Sequence, residues 1–285
     1  MAAQVLQSQP DKRIRLAISY GVLLTVTFLL MMPVIWMLLG SLKTDDELTG
    51  YPVQVFPAEA QWRNYEDALT IIPFGSYLAN SLKLALVYSI LTVITSSMAG
   101  FAFARIPARG RGKLFGIVVA LLMVPYIVYV IPQFVIFTKV LGLYDTYWPW
   151  VLWGLAGSPF HIFLFRQFFA AFPKELEDAA EVDGCGSFRV YWQIFLPNAK
   201  PAIAVSFIFN FVYVWSDYLN PTIYLTSDKT TLAAALGSSY ADPRGNVLMS
   251  ITLAGSVLYA LPLVVMFFLA QKQVMQGVVT SGLKG

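Results

Sequence analysis

The sequence has few charged residues, a single cysteine and a single histidine. Only 12% of its 285 residues are charged and 58% are hydrophobic, whereas a soluble domain carries roughly 25% charged residues. The composition therefore excludes an ordinary soluble domain. The lone cysteine, Cys185, excludes an internal disulfide and a cysteine-based metal cluster. His161 lies in an apolar stretch, where we interpret it as a packed, hydrogen-bonded residue and not as a catalytic one.

A phosphate-binding loop of the form G-x-x-x-x-G-K-[ST] is also missing from the sequence. The basic stretch RGRGK, residues 109–113, lacks both the glycine spacing and the hydroxyl residue after the lysine. We therefore expect no cofactor on this chain and no ATP hydrolysis by it. Clusters of His, Asp or Ser suited to catalysis at a membrane face are absent as well, which argues against a membrane-embedded enzyme. We therefore predict no catalytic and no metal-binding residues.

The charges that do occur are clustered, and they leave six long windows between them. Each window has about 20 residues or more, the length that an α-helix needs to cross roughly 30 Å of hydrocarbon. The windows are 16–42, 84–104, 114–138, 146–165, 201–227 (broken by Asp217 alone) and 245–271. We predict an all-α integral membrane protein with six transmembrane helices. The first window is too long for a cleaved signal peptide.

The distribution of positive charge predicts the orientation. With the N-terminus inside, the cytoplasmic segments hold thirteen of the nineteen Lys and Arg residues, so both termini are predicted to be cytoplasmic. The strongest marker, RIPARGRGK at 105–113, is interpreted as a topology anchor and not as a nucleic-acid site. The predicted organisation is an N-terminus (1–15), a first span (16–42), an outer loop with one short helix (43–83), a core (84–271) containing a cytoplasmic segment (166–200) and an outer loop (226–247), and a cytoplasmic tail (272–285).

Two side-chain patterns within the windows predict how the helices pack. Ser96, Gly100 and Ala104 recur every four residues, a spacing of small side chains that lets two helices approach closely within the bundle. Three tryptophans between residues 148 and 153 are interpreted as an interfacial belt.

The cytoplasmic segment 166–200 is unusually polar for this chain. Two sets of apolar residues recur there at helical spacing: Leu176, Ala179 and Ala180, and then Phe188, Tyr191, Trp192 and Phe195. The pattern predicts two short amphipathic helices hinged at residues 184–186, with Pro173 in the first turn of the first helix and Pro197 at the end of the second. Their apolar faces are buried either on the membrane and the protein's own helices or on a cytoplasmic partner.

The same segment resembles the signature of permease subunits of ATP-binding-cassette importers, which reads Glu-Ala-Ala, three residues, Gly, nine residues, Ile-x-Leu-Pro. Every spacing agrees, and the matching residues are Asp178, Ala179, Ala180, Gly184, Ile194, Leu196 and Pro197. The stretch PKELEDAAEVDG and the tail QGVVTSGLKG are similar to the sugar-importing branch, specifically its smaller, maltose-transporter-like permease. Asp178 departs from the family's Glu by one methylene, and Cys185 stands in the place of a usual Ala.

The resemblance implies a type I importer permease fold and a place in the plasma (inner) membrane of a bacterium or archaeon. It implies that Asp178, Ala179, Ala180, Asp183 and Gly184, together with Ile194, Leu196 and Pro197, couple the chain to an ATPase. The implied partners are a second permease, two copies of an ATPase that carries ATP and magnesium, an external sugar-binding protein or lipoprotein, and membrane lipid. Tail residues 279–285 are implied to reach the ATPase pair, and loop 226–247 to enter the binding protein.

A charged residue inside the fifth window marks a candidate substrate path. Asp217 is an intramembrane acid, which by default faces the interior of the bundle. Aromatic and amide side chains near it could contact a sugar, and two tyrosines lie between Pro125 and Pro132, where the third helix is expected to bend. The candidates are Tyr126, Tyr129, Tyr213, Trp215, Asp217, Tyr218 and Asn220. Sugar contact and helix packing both remain open for this cluster.

Other classes of transporter remain as alternatives. An ion-coupled carrier usually has several intramembrane ionisable groups and internal repeats, and the sequence shows one such group and no repeat. An importer of glycerol phosphate or a polyol shares the signature. The sequence does not identify which solute is carried.

Overall fold

The computed structural model describes residues 12–238, 240–241 and 244–282, and side chains from residue 14 to residue 271 outside the same gaps. Across these residues the one β feature is an isolated antiparallel bridge between Ala241 and Val247, so the predicted all-α class is confirmed. The helices are α1 Lys12–Gly40, α2 Asp45–Thr49, α3 Arg63–Thr70, α4 Phe74–Arg105, α5 Arg111–Leu121, α6 Tyr126–Val135, α7 Trp148–Ala156, α8 Pro159–Ala170, α9 Glu175–Val182, α10 Ser187–Val190, α11 Leu196–Asn198, α12 Lys200–Trp215, α13 Leu219–Tyr224, α14 Leu232–Leu236 and α15 Met249–Gly282. Two π-helical turns occupy Ile136–Val140 and Tyr191–Phe195.

The helices provide fewer continuous spans than the six predicted windows. Within the described part of the chain, three helical stretches are long and apolar enough to cross a membrane, namely Ile14–Gly40, Phe74–Arg105 and Met249–Gln271. The number rises to five if each of two bent pairs forms one span; the first pair, α5 with α6 and its π turn, bends by 96°, and the second, Ser187–Asn198 with α12, bends by 80°. The count of six and the cytoplasmic termini therefore stay predictions.

Glycine and proline explain why the middle windows are broken. Pro125 has an extended backbone and stands at the start of α6, where a proline fits because its missing N–H is not needed. Gly157 has a positive φ of 73° between α7 and α8, a conformation that ends a helix. Pro262, by contrast, lies inside the continuous α15. The absence of charge therefore did not predict where the helices end.

The chain divides into two compact units, and the first combines residues before 69 with residues 241–258. Its long helix α1 is apolar and exposed along its length. The turn after α1 buries Lys43, whose ammonium group donates to the Gln54 carbonyl and lies 4.8 Å from the centre of the Trp36 ring. Two short helices, α2 and α3, then follow, so the expectation of one short helix in the outer segment 43–83 was wrong.

The second unit comprises residues 69–240 and those from 259 onward, and its centre is α4. This helix packs against α7, α8 and α12. A Cβ atom on Gly100 would lie 2.6 Å from the Phe165 Cβ and 2.9 Å from the Arg166 nitrogen, which leaves no room for a side chain. Ser96 is buried, and its hydroxyl accepts the Ser158 backbone N–H at 3.0 Å. Close packing at these two small residues is therefore confirmed.

Replacing Gly100 with alanine is expected to destabilise the second unit. The added methyl group would press against the backbone of α8, and overpacking of this kind costs about 1–3 kcal/mol. Gly116→Ala in α5 is the matched control, because a Cβ there meets nothing within 4 Å. Heating the two detergent-solubilised variants and measuring the fraction that stays monodisperse tests this. Equal thermal stability of the two variants would contradict the close approach of α4 and α8.

Candidate functional site

The first half of the cytoplasmic segment is a short helix that exposes most of its surface. In α9 the single buried side chain is Ala180, at 4% exposure, whereas Asp178 and Ala179 are exposed and Val182 is 89% exposed. The resemblance implied that Ala179 and Ala180 together couple the chain to an ATPase. The structure separates them, because Ala180 packs on the protein's own core and Ala179 faces outward.

The glycine hinge ends α9 with a left-handed residue. Gly184 has a φ of +73°, and the Cys185 N–H donates to the Ala180 carbonyl at 2.9 Å while the Gly184 N–H donates to that of Glu181 at 3.0 Å. This pair of bonds satisfies carbonyls that the helix end leaves free, and the conformation favours glycine. Asp183 precedes the glycine and caps the helix end. The predicted hinge is confirmed at Gly184, whereas Gly186 has an ordinary negative φ.

The second half of the segment departs from the predicted amphipathic helix. A π-helical turn at Tyr191–Phe195 interrupts it, and the extra residue per turn rotates the side chains that follow. Tyr191 and Phe195 are buried, as predicted, but Phe188 and Trp192 are 67% and 56% exposed. Burial on the protein's own core is therefore confirmed for Tyr191 and Phe195, and burial of Phe188 and Trp192 on the membrane or a partner stays a prediction.

Proline does not end this part of the chain. Pro197 lies inside the three-residue helix α11, and the break falls at Ala199, just before α12. The other two signature residues of this half, Ile194 and Leu196, are partly buried and pack against the cluster that contains Phe101, Phe169 and Phe195. Pro197 itself is exposed.

An aromatic core holds the cytoplasmic segment to the long helices. The ring of Phe101 on α4 lies 5.0 Å from that of Phe195 and 6.1 Å from that of Phe169 on α8, in edge-to-face geometry. The hydroxyls of Ser97 and Tyr191 hydrogen-bond at 2.8 Å. The segment is therefore packed against α4 and α8, while α9 presents an open face.

A cavity of about 550 Å³ lies within the second unit. Five of the seven predicted path residues line it, namely Tyr126, Tyr129, Tyr213, Asp217 and Asn220. The tyrosine rings pair along its wall: Tyr126 and Tyr129 are 5.2 Å apart edge to face, and Tyr213 lies 6.2 Å from Tyr88. The cavity thus combines aromatic surfaces with polar groups, as small-molecule sites commonly do.

Asp217 stands at a helix break and not along a continuous fifth span. Helix α12 ends at Trp215 and α13 begins at Leu219. The Asp217 carboxylate accepts the Asn220 backbone N–H at 3.1 Å and the Asn220 side-chain amide at 2.8 Å. The side-chain oxygen of Asn220, Oδ1, in turn accepts a hydrogen bond from the Tyr126 hydroxyl. This chain of bonds links α6 to α13 and fixes the orientation of all three polar groups.

Two predicted path residues lie away from the cavity. Trp215 is fully buried, stacks between Phe211 at 5.6 Å and Tyr259 at 5.3 Å, and accepts the Tyr259 hydroxyl on its carbonyl at 2.7 Å. Tyr218 packs its ring edge over Gly237. Both were predicted from nearness to Asp217 in sequence. Trp215 lies on the face of α12 that carries Phe211, and Tyr218 lies beyond the end of that helix.

Several polar residues of the cavity were missed by sequence reasoning. His161 is buried and hydrogen-bonds through Nδ1 to the Ser206 hydroxyl at 2.9 Å, and Asn210 donates to the Ser206 carbonyl at 2.8 Å. His161 is packed and bonded as predicted, and it also lines the cavity with Asn210. The available signal was the spacing of Ser206, Asn210 and Tyr213, which recur on one side of α12 and are followed four residues later by Asp217.

The tryptophans of the fourth window are not a uniform interfacial belt. Trp148 is 55% exposed, whereas Trp150 is 1% exposed and lines the cavity together with Trp153. Their rings pack edge to face at 5.4 Å, and each also packs on Tyr224 of α13. The belt interpretation therefore fails for Trp150 and Trp153 and stays a prediction for Trp148.

The outer loop after α13 is tied to the loop before α7. Asp145 accepts the Thr226 N–H at 3.0 Å and pairs with the Lys229 ammonium at 3.0 Å. These bonds, led by the Thr226 N–H, lower the pKa of Asp145 to about 2. The loop also contains α14, with Leu232 buried. Residues 239, 242 and 243 of this loop lie outside the described part.

Comparison with known proteins supplies the family. A profile described as binding-protein-dependent transport system inner membrane component matches residues 71–274. The chain belongs to this family. The match includes the cytoplasmic segment and the cavity, and the predicted resemblance to ATP-binding-cassette importer permeases is confirmed.

Several named permease proteins are similar to this chain over nearly its whole length. The lactose transport system permease protein LacG of Rhizobium radiobacter is 32% identical, covering 93% of this chain and 95% of its own. The arabinooligosaccharides transport system permease protein AraQ of Bacillus subtilis is 34% identical over 93% of this chain and 96% of its own. The diacetylchitobiose uptake system permease protein NgcG of Streptomyces coelicolor is 27% identical over 93% and 88%.

A solved structure supports the fold of this family member. A chain from the crystal structure of a bacterial ABC transporter involved in the import of the acidic polysaccharide alginate superposes with a TM-score of 0.79 at 21% identity, covering 93% of this chain and 98% of that one. The importer permease fold is therefore confirmed. Since the family is a transport component and the relatives are permeases, the chain is a transport subunit and not an enzyme.

Proposed function

We propose that this chain is one of two permease subunits in an ATP-driven importer of disaccharides or oligosaccharides. The observation that carries the proposal is the signature segment, whose helix α9 is held by the protein's own core yet exposes Asp178, Ala179 and Val182. The carbohydrate class comes from relatives named for lactose, arabinooligosaccharides and diacetylchitobiose. An inner membrane location in a bacterium or archaeon fits the description of the family.

In this proposal α9 docks into a separate ATPase that binds ATP and magnesium. Ala179 lets a partner surface approach closely, Val182 supplies apolar area, and the Asp178 carboxylate selects orientation. Two ATPase copies would close upon ATP binding. A ligand shifts a conformational equilibrium only by its different affinity for the two states, and ATP bound between the ATPase copies supplies that difference.

Further partners follow from the same proposal. The exposed apolar helix α1 contacts lipid and the second permease, and the outer loop 226–247 meets an external sugar-binding protein. The tail 279–285 was also predicted to reach the ATPases; residues 283–285 and the side chains of 279–282 lie outside the described part, so this stays a prediction from resemblance.

The lining of the cavity favours a neutral solute over an anionic one. Among the described residues that line it there is no Lys or Arg, and Asp217 brings a carboxylate. A phosphate group would be repelled there, so glycerol phosphate is disfavoured, whereas neutral hydroxyl groups match the amides, tyrosines and carboxylate. We propose that Tyr126, Tyr129, Tyr213, Asp217 and Asn220 contact the sugar as it passes.

Transport by the reconstituted complex tests the proposal. The chain is expressed together with its neighbouring permease and ATPase genes, purified as a complex, and placed in proteoliposomes with the binding protein. Uptake of a labelled disaccharide or oligosaccharide is expected only when ATP, magnesium and the binding protein are all supplied. Accumulation of solute by this chain alone, without ATP, would instead favour an ion-coupled carrier.

A further inference from the structure

Arg105 does not behave as the exposed topology anchor that its sequence neighbourhood predicts. It is the last residue of α4, and its side chain is only 12% exposed. Arg109 and Lys113 of the same basic stretch are exposed. Arg105 therefore lies at the junction of the cytoplasmic segment with the long helices and not at the surface.

The guanidinium group of Arg105 caps the end of α8. Its Nε and Nη2 donate to the Phe169 carbonyl at 3.2 and 2.7 Å, and Nη2 also donates to the Phe172 carbonyl. The last carbonyls of a helix have no partner within the helix and carry its partial negative charge. Arginine therefore joins the cytoplasmic ends of α4 and α8.

The same guanidinium holds the cytoplasmic segment at two further points. Its Nε lies 3.0 Å from the Glu177 Oε1 on α9, and the Glu177 side chain is only 16% exposed. Its central carbon lies 5.2 Å from the centre of the Phe195 ring in the π turn. Burial raises the pKa of Glu177, and the charge of Arg105 opposes that rise.

We propose that the Arg105–Glu177 ion pair is the positioning link that transmits movement of α9 to α4 and α8. This inference rests on the proposed coupling of α9 to an ATPase. Because Ala180 is the single buried side chain of α9, little else fixes that helix to the spans. The planar fork of arginine makes the carbonyl bonds and the ion pair together, which lysine cannot reproduce.

The test uses the purified complex and the substitution Glu177→Gln. The expected result is that the ATPase copurifies and hydrolyses ATP, while solute moved per ATP falls about tenfold, within the range of typical coupling effects. Glu181→Gln is the matched control, since it removes the same charge from an exposed position on the same helix. The solute moved per ATP by Arg105→Lys is expected to lie between the values for Glu177→Gln and the wild type. For the double variant Arg105→Lys with Glu177→Gln, this ratio is expected to be no lower than that of the more impaired single variant.

A second measurement follows the conformational change of the spans and does not depend on which solute is transported. Leu121, which lines the cavity, is replaced by cysteine in a Cys185→Ser background, and its labelling rate is measured with and without ATP and magnesium. Glu177→Gln is expected to abolish the difference that ATP causes. If the background shows no such difference, the proposed ATPase coupling fails and the link with it.

Three outcomes overturn the link while leaving the proposed function intact. One is an unchanged ATP-dependent labelling difference and an unchanged solute-to-ATP ratio in Glu177→Gln. Another is an equal deficit in Glu181→Gln, which would indicate a general charge effect. The last is a loss of assembled complex with a normal ratio per complex, which would give the pair a purely structural role.

Discussion

Replacing Gly184 with valine is expected to lower ATP-coupled uptake by at least about tenfold. A Cβ at this position meets no neighbouring atom, so the cost arises from the backbone, whose φ is +73°. A left-handed conformation costs a residue with a Cβ about 1–2 kcal/mol, and more for a β-branched one. The end of α9 would unwind, and Asp178 and Ala179 would lose their fixed presentation to the ATPase.

Gly186→Val is the matched control for this prediction. Gly186 is exposed two residues later, has an ordinary extended conformation and also has open space around its Cβ position, so valine fits there. Gly184→Asn should retain part of the activity, because asparagine tolerates the left-handed region. Uptake per assembled complex and copurification of the ATPase are measured for all three. Normal uptake and copurification in Gly184→Val would remove α9 from the coupling role.

Replacing Asp217 with asparagine is expected to raise the apparent KM for the sugar about tenfold while the complex still assembles. The carboxylate accepts two bonds from Asn220, and an amide in its place would set one NH₂ group against another. The Asn220 side chain would then reorient and lose its hydrogen bond from the Tyr126 hydroxyl. Hydrogen bonds to a charged group contribute about 1.5–3 kcal/mol, and tenfold corresponds to about 1.4 kcal/mol.

Asp46→Asn is the control for charge removal, because Asp46 is exposed in α2 and lies outside the loop proposed to meet the binding protein. KM and maximal rate of uptake are compared at equal amounts of assembled complex. A loss of assembly with unchanged KM would assign Asp217 to helix packing, the interpretation that the sequence left open. An unchanged KM with normal assembly would exclude both roles for the carboxylate.

Sequence reasoning located the two candidate sites through two different signals. The spacing of residues 178–197 predicted the segment, the hinge at Gly184 and the family, because the signature consists of residue types at fixed spacing and requires no knowledge of the local structure. An isolated acid in an apolar window predicted the cavity around Asp217. Neighbours in sequence were less reliable: Trp215 and Tyr218 turned away from the cavity, whereas His161 and Asn210 line it from other parts of α8 and α12.

The sequence by itself determined that this chain belongs in a membrane, that it is helical, and that it lacks its own phosphate loop, because composition and local spacing carry that information. The tertiary structure alone decided where the helices break, that a π turn interrupts the segment after α10, and that Arg105 at the end of α4 is largely buried against α8 and α9. The physical reason is that free carbonyls, buried charges and ring packing are satisfied by groups from distant parts of the chain. No local pattern of residues encodes which partner each group finds.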